Sequence, residues 1–250
     1  MTIEQIKEQL KHITLFDGLT FNLTLTDGSK QRIVVRTDDS ADNPCDDESF
    51  CNFRVVQRYG IGYYIGYTTR DTLVSDIINE FPVLDDEDIL DGMTDFELAK
   101  KFIRRHPDKF LSVSLFLYEH SGTRWSISDF NDKFDSSCVG VMYMPLKDLA
   151  YPEKAQEQFD WCVKQYLAYL NCEIYKVDYQ TQYTEETIVI RTSTDNPTDK
   201  SVDTHTRNIW LTYDTSFNYL ENDVIEVFYN LPTVDVENIT KIEVGQIDEN

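Results

Sequence analysis

FLSVSLFLYEHSGTRWSISDFNDKFDSSCVGVMYM, residues Phe110 to Met144, is the stretch whose reading decides the fold. Leu111, Val113, Leu115 and Leu117 alternate with Ser112, Ser114, Phe116 and Tyr118, the two-residue period of a strand with unlike faces. A second apolar run, Val139 to Met144, follows a polar connection that contains His120, Ser121, Gly122, Trp125 and Asp135. The alternating run is read as a strand, and the second run enters another. They are expected to place Leu115, Leu117, Val139 and Val141 in a single core.

That sheet needs a cover, and the next segment supplies one. Ala155, Phe159, Cys162, Val163, Tyr166, Leu167 and Leu170 are spaced by three, four and one, the apolar stripe of an amphipathic helix, with Pro152 suited to its first position. Phe159, Val163 and Leu167 are expected against the strand leucines. Further on, Glu173 to Tyr179 and Glu186 to Arg191 predict two strands around a polar turn, and residues 192–206, TSTDNPTDKSVDTHT, a long loop. Strands near Ile209 to Tyr213 and Ile239 to Val244, with a short helix between them, complete the C-terminal part.

Upstream, Thr2 and Gln5 form a capping-box pattern ahead of Ile3, Ile6 and Leu10. Phe21, Leu23 and Leu25 lead to Asp27-Gly28 and then Ile33, Val34 and Val35, which predicts a hairpin closed by a tight turn. A loop follows from Asp38 to Glu48, then strands at Asn52 to Arg58 and Ile61 to Tyr67 separated at Gly60. Asp71 is expected to cap a helix through Ile77 and Ile78, and Thr94 with Glu97 to cap another ending near His106. The basic run Lys100, Lys101, Arg104 and Arg105 suits the C-terminal end of that helix.

Regular strand–helix alternation is missing, so the expected class is α+β, a mostly antiparallel sheet with packed helices and a small C-terminal α/β appendage. The expected division is a main domain over 1–191, a loop or linker over 192–206 and a small subdomain over 207–250.

Composition limits function. The 250 residues carry 45 acidic against 23 basic side chains, a net charge of −22 and a pI near 4.4. Binding nucleic acid by neutralising phosphates is disfavoured by that balance, so no direct nucleic-acid contact is expected. Cys45, Cys51, Cys138, Cys162 and Cys172 are an odd number without a CxxC pair, and the chain has neither a signal-peptide pattern nor an 18-residue apolar run. These features predict a reduced, cytoplasmic protein that does not enter membranes, with Cys162 as a small core hydrophobe. His12, His106, His120 and His205 are too scattered for a zinc ligand pair, and no cofactor or metal is expected. With Gly92 at the glycine position of a calcium loop, the first and third ligand positions fall on Glu87 and Ile89, so that motif fails.

Two constellations carry candidate chemistry. Glu119, His120 and Ser121, with Asp135 further along, contain the residue types of a Ser/His/acid site. Ser and Gly are turn formers, which favours a structural turn between strands over catalysis by His120, Ser121 and Asp135. The second constellation is acidic: Asp46, Asp47 and Glu48 in one run, Asp85, Asp86, Glu87, Asp88 and Asp91 in another. Carboxylates so spaced could stand in for phosphates against a basic partner, since charge complementarity steers such encounters.

The run Leu117-Tyr118-Glu119-His120-Ser121-Gly122, followed by Phe134-Asp135-Ser136-Ser137-Cys138-Val139-Gly140, resembles a widespread, functionally unassigned family encoded by phages and mobile elements. Asp42-Asn43-Pro44 with Arg58-Tyr59, and Tyr169-Leu170 with Ile174-Tyr175, resemble it in order and spacing. Ser137 and Val56 stand where the family carries glycine and histidine. The resemblance covers about Thr20 to Val177 and implies a mobile-element context. Joined to the charge, it leads to the expectation of a non-enzymatic inhibitor of a host defence system, of anti-CRISPR or anti-restriction type, in the cytoplasm of a bacterial host. Its partner would be a basic nuclease or guide-RNA effector complex. The alternatives are a hydrolase or nucleotide-modifying enzyme using His120 and Asp135, and a non-catalytic interaction scaffold.

Overall fold

Phe110–Glu119 and Ser136–Pro145 pair antiparallel, and a bulge between Leu115 and Phe116 leaves Val139 without a partner on the first of these strands. The computed structural model describes residues 1–44, 53–63, 68–82, 92–120, 122–132, 135–147, 152–192, 200–231 and 234–247. They fall into two units, Met1–Asp39 with Ile174–Asn250, and Ser40–Glu173. The class is α+β with antiparallel sheets. Among the described residues no helix is long and apolar enough to cross a membrane.

The first unit is a five-stranded antiparallel sheet made of β1 (Leu19–Leu25), β2 (Lys30–Thr37), β7 (Ile174–Thr192), β8 (Lys200–Leu220) and β9 (Ile239–Gln246), in the order β8-β7-β2-β1-β9. The β1–β2 hairpin closes at Asp27-Gly28: Asp27 Oδ1 accepts from Ser29 N at 2.9 Å, and Gly28 takes a φ of 83°, a conformation glycine adopts at no steric cost. The odd-numbered residues Leu19, Phe21, Leu23, Ile33 and Val35 bury one face under α1 (Ile3–Leu10) and α5 (Val224–Tyr229). The Thr2–Gln5 capping box is present. Tyr179 Oη donates to Val227 O at 3.0 Å, tying α5 to the sheet through a buried polar contact.

The C-terminal part differs from expectation. β7 is one strand of 19 residues, where two strands around a turn were expected, and β8 runs 21 residues from Lys200, within the expected 192–206 loop. Both strands lack glycine and proline; β7 is rich in Thr, Tyr, Ile and Val, and β8 in Thr and aromatic residues. Polarity there marks exposure, while β-branched and aromatic residues keep the backbone extended. Residues 207–250 are therefore no separate subdomain or appendage, because β9 pairs with β1 along Leu19–Leu25. The chain divides near residues 39 and 174, and residues 193–199 lie outside the described ones.

The second unit holds β3 (Arg54–Gln57), β4 (Phe110–Glu119), β5 (Thr123–Ser126) and β6 (Ser136–Pro145), ordered β3-β6-β4-β5. Helix α4 (Ala155–Leu170) lays Phe159, Cys162, Val163 and Tyr166 against Leu115, Leu117, Val139, Met142 and Met144. Burial pushes the Cys162 thiol up to about 11, the behaviour of an inert core cysteine. The opposite face is covered by α2 (Arg70–Glu80) and α3 (Asp95–Leu98), which continues as a π-helical turn over Ala99–Ile103. There Leu73, Ile77, Leu98, Phe102 and Ile103 pack on Val56, Phe110, Val141 and Tyr143.

Several expectations change in detail. Val141 belongs to the second core, because residues two apart on β6 share a face and the bulge turns Val139 toward Leu115. Helix α2 is capped by Thr69 Oγ1, which accepts from Thr72 N at 3.0 Å, and Asp71 sits inside it. The Thr94–Glu97 capping box is present. Pro152 opens a 3₁₀ turn, Pro152–Lys154, ahead of α4. Ile61 to Tyr63 form a bend, with Gly60 and Gly62 at positive φ, rather than the start of a strand; residues 64–67 lie outside the described ones.

Candidate functional site

The β4–β6 register fixes the first candidate. Tyr118 pairs with Ser136 and Glu119 N donates to Asp135 O at 3.0 Å, so residues distant in sequence become neighbours. His120 Nδ1 then lies 3.1 Å from Asp135 Oδ2. The loop carrying Asp135 is held by its own carboxylates: Asp132 Oδ1 accepts from Asp135 N at 3.2 Å, and Asp129 Oδ1 from Ser136 Oγ at 3.1 Å. The Tyr118 ring lies beside this turn, tilted against two others, its centroid 5.3 Å from that of Phe130 and 6.4 Å from that of His120.

A carboxylate on Nδ1 is the arrangement that orients an imidazole and leaves Nε2 to act as a base. The His120 side chain is 68% exposed and that of Asp135 30%, whereas strong electrostatic catalysis relies on a water-excluded pocket. Neither His120 nor Asp135 lines the clefts of about 730 and 540 Å³ found elsewhere in this unit. Ser121 lies outside the described residues, so the structure brings together two of the three candidate catalytic groups. Asp46, Asp47, Glu48, Asp85, Asp86, Glu87, Asp88 and Asp91 also lie outside them.

Each acidic run leads into a described element. The chain resumes at Phe53 before β3, and at Gly92 before the Thr94 cap of α3. Strand β3 and the first turn of α3 wall the same cleft, of about 730 Å³, lined among others by Val55, Gln57, Arg58, Tyr59, Tyr63 and Phe96. Gln57 Nε2 donates to Tyr63 O at 2.6 Å, and the Tyr63 ring meets Trp125 edge-on at 5.8 Å, holding the bend that forms one rim. Tyr59 is 94% exposed at that rim. No site was expected here from the sequence, whose only signal for it is Gly60 and Gly62, which permit the bend.

The second cleft, about 540 Å³, is lined by Met93, Glu97, Lys100, Lys101, Arg104 and Arg105 on and beside α3. In the sequence these cations read as ordinary helix-end residues. Among the described residues no group of three or more His, Cys, Asp or Glu converges as a metal site. Comparison with family models, with curated proteins and with solved structures finds no match to this chain.

Proposed function

We propose that this chain is a non-enzymatic inhibitor encoded by a mobile element, which occupies the basic nucleic-acid groove of a host defence protein of CRISPR or restriction type. One observation carries the reading: a net charge of −22, from 45 carboxylates against 23 cations. Charge of that size works against the compact state through self-repulsion, and a basic groove is a partner that would turn it to advantage. Support also comes from the tethering of the two acidic runs, since the chain emerging from each leads to elements that wall one cleft. In a bacterial host such a protein would act in the cytoplasm.

The test is binding kinetics against a candidate basic nuclease or guide-RNA complex, at low salt and above ~0.15 M, where the Debye length is about 8 Å. Replacing Asp85, Asp86, Glu87 and Asp88 by Asn or Gln should slow association more than it speeds dissociation, and nucleic acid should compete. Unchanged rates, or a ternary complex with the nucleic acid still seated, would overturn mimicry.

The His120–Asp135 contact favours a second reading, a hydrolase or nucleotide-modifying enzyme with His120 as base oriented by Asp135. On the inhibitor reading His120→Asn leaves target inhibition intact, because the amide replaces one neutral imidazole hydrogen bond. Loss of function at an unchanged melting temperature would favour the enzyme.

A further inference from the structure

Some cations of the described residues face a carboxylate: Arg70 Nη1 is 2.7 Å from Asp95 Oδ1, Lys109 Nζ 3.5 Å from Glu80 Oε2 and Arg54 Nε 3.7 Å from Asp76 Oδ2. Lys100, Lys101, Arg104 and Arg105 do not, and they line one cleft together. All four are exposed and none forms an ion pair among the described residues, in a chain where acids outnumber bases almost two to one. Their close contacts are with rings, Lys100 Nζ 5.3 Å from the Phe96 centroid and Lys101 Nζ 4.9 Å from that of Phe102.

The cluster rests on a rigid support. Thr94 and Glu97 cap α3, Arg70 clamps its first residue Asp95 and also donates to Met93 O at 3.0 Å, and Leu98, Ala99, Phe102 and Ile103 are buried on its inner face. Within the π-helical turn Arg104 N donates to Ala99 O at 3.0 Å. A five-residue step brings residues four and five apart over one another, so Lys100 is carried toward both Arg104 and Arg105. Like charges so placed repel, and the inner-face packing does not require them.

Glu97 is the one carboxylate lining this cleft among the described residues. Its Oε2 already accepts from Thr94 N at 2.8 Å and Thr94 Oγ1 at 2.9 Å. Those Thr94 hydrogen bonds hold its carboxyl below the ordinary range, with Lys100 the least of the influences. Among the described residues, then, the one carboxylate of this cleft is already engaged by Thr94, and the four cations are free to meet an anion. The dipole at a helix C-terminus explains a preference for cations there, but it gives no reason to gather four of them around one cleft.

We infer that this cleft binds an oligophosphate, two or three linked phosphate groups on a small molecule. Guanidinium forks take phosphate oxygens in pairs, and ammonium groups add point charges around them. A volume of about 540 Å³ lies in the range of small-ligand sites. The overall charge selects for size, because a long polyanion would lie along a surface of net charge −22, while a compact anion within the cleft meets the four cations at short range.

Isothermal titration of the full chain with sodium tripolyphosphate and with orthophosphate tests this. Tripolyphosphate should bind one site roughly tenfold or more tighter than orthophosphate, and K100Q/R104Q should weaken it by roughly tenfold or more. A control pair on and just beyond α1, K7Q/K11Q, should leave binding unchanged, and thermal melts should show both variants folded. Absence of tripolyphosphate binding, or equal binding by K100Q/R104Q, overturns the proposal. Tighter binding of a single-stranded oligonucleotide through the same four cations also overturns it, in favour of a nucleic-acid backbone. Each outcome is read on the purified chain alone, so it is independent of the groove-occupying function.

Discussion

The side-chain amide of Asn171 completes the sheet edge at Trp125: its Oδ1 accepts from Trp125 N at 2.9 Å and its Nδ2 donates to Trp125 O at 3.1 Å. Strand β5 is the edge of its sheet, and Asn171, one residue beyond the end of α4, does there what a neighbouring strand would do. Helix and sheet are thereby joined by a pair of hydrogen bonds as well as by apolar contact. Asn171→Ala leaves both groups of Trp125 wanting and should cost about 1–3 kcal/mol. Asn171→Asp keeps an acceptor but loses the donor, so it should also fall below wild type at neutral pH. Urea unfolding of the variants checks both, and wild-type midpoints would refute the pairing role.

Leu117 and Ile103 lie in cores on opposite faces of the same four-stranded sheet. Each is buried to within 1% exposure, and truncation to alanine should cost about 2–5 kcal/mol. Because no side chain is shared between the two clusters, the double variant should be additive to within about 0.5 kcal/mol. Denaturant unfolding of the two single variants and the double provides the cycle. Strong coupling would mean that the sheet transmits strain between its faces.

The hydroxyls of Tyr143 and Tyr179 are pushed well above the ordinary range, in each case first by burial. Tyr143 Oη also donates to Asp76 Oδ2 at 2.8 Å, which favours the protonated form further. In the unfolded chain both titrate near ~10, while the folded chain keeps both protons. The stability this represents is complete below pH ~10 and is lost as pH rises beyond it, by roughly 1.4 kcal/mol per pH unit for each tyrosine. Tyr143→Phe and Tyr179→Phe should each flatten the decline of stability above pH ~10, whatever they do at neutral pH. A slope unchanged in both variants would contradict the burial assignment.

Strand β2 pairs with β7 over Tyr175–Thr181, but the β7–β8 pairing continues out to Thr192 and Lys200. Beyond Gln182 and Trp210 the two strands form a ribbon with no third strand among the described residues. Glu185–Arg207 and Thr184–Asn208 contacts hold it, while Tyr183 and Ile188 are exposed. Two-stranded ribbons are marginal in water, so amides of 184–188 should exchange with solvent at least roughly a hundredfold faster than those of 175–181. Hydrogen exchange read by mass spectrometry decides this, and equal protection would mean that the ribbon is covered in solution.

The sequence by itself determined which residues have one face and which have two. Period-2 alternation marked β1 and β4, the apolar run Ile33-Val34-Val35 after the turn marked β2, the three- and four-residue steps marked α1 and α4, and Thr2–Gln5 and Thr94–Glu97 marked where helices begin, because such signals are complete within a few residues. Asp27-Gly28 was legible for the same reason: the turn's hydrogen bonds and its left-handed glycine belong to one short segment. The polar, strand-compatible β7 and β8 were not legible as single strands, since nothing local distinguishes an exposed extended backbone from a loop when pairing partners lie far away. Only the tertiary structure decided that β9 closes against β1, that a bulge at Val139 sends Val141 to the other core, and that His120 meets Asp135. Contacts between residues distant in the chain depend on register and on the apolar surface both partners bury, and neither quantity is written in either segment alone. The four cations at and beyond the end of α3 show the same division: their spacing was plain in the chain, but that they line one cleft without an ion pair among the described residues emerged only in the fold.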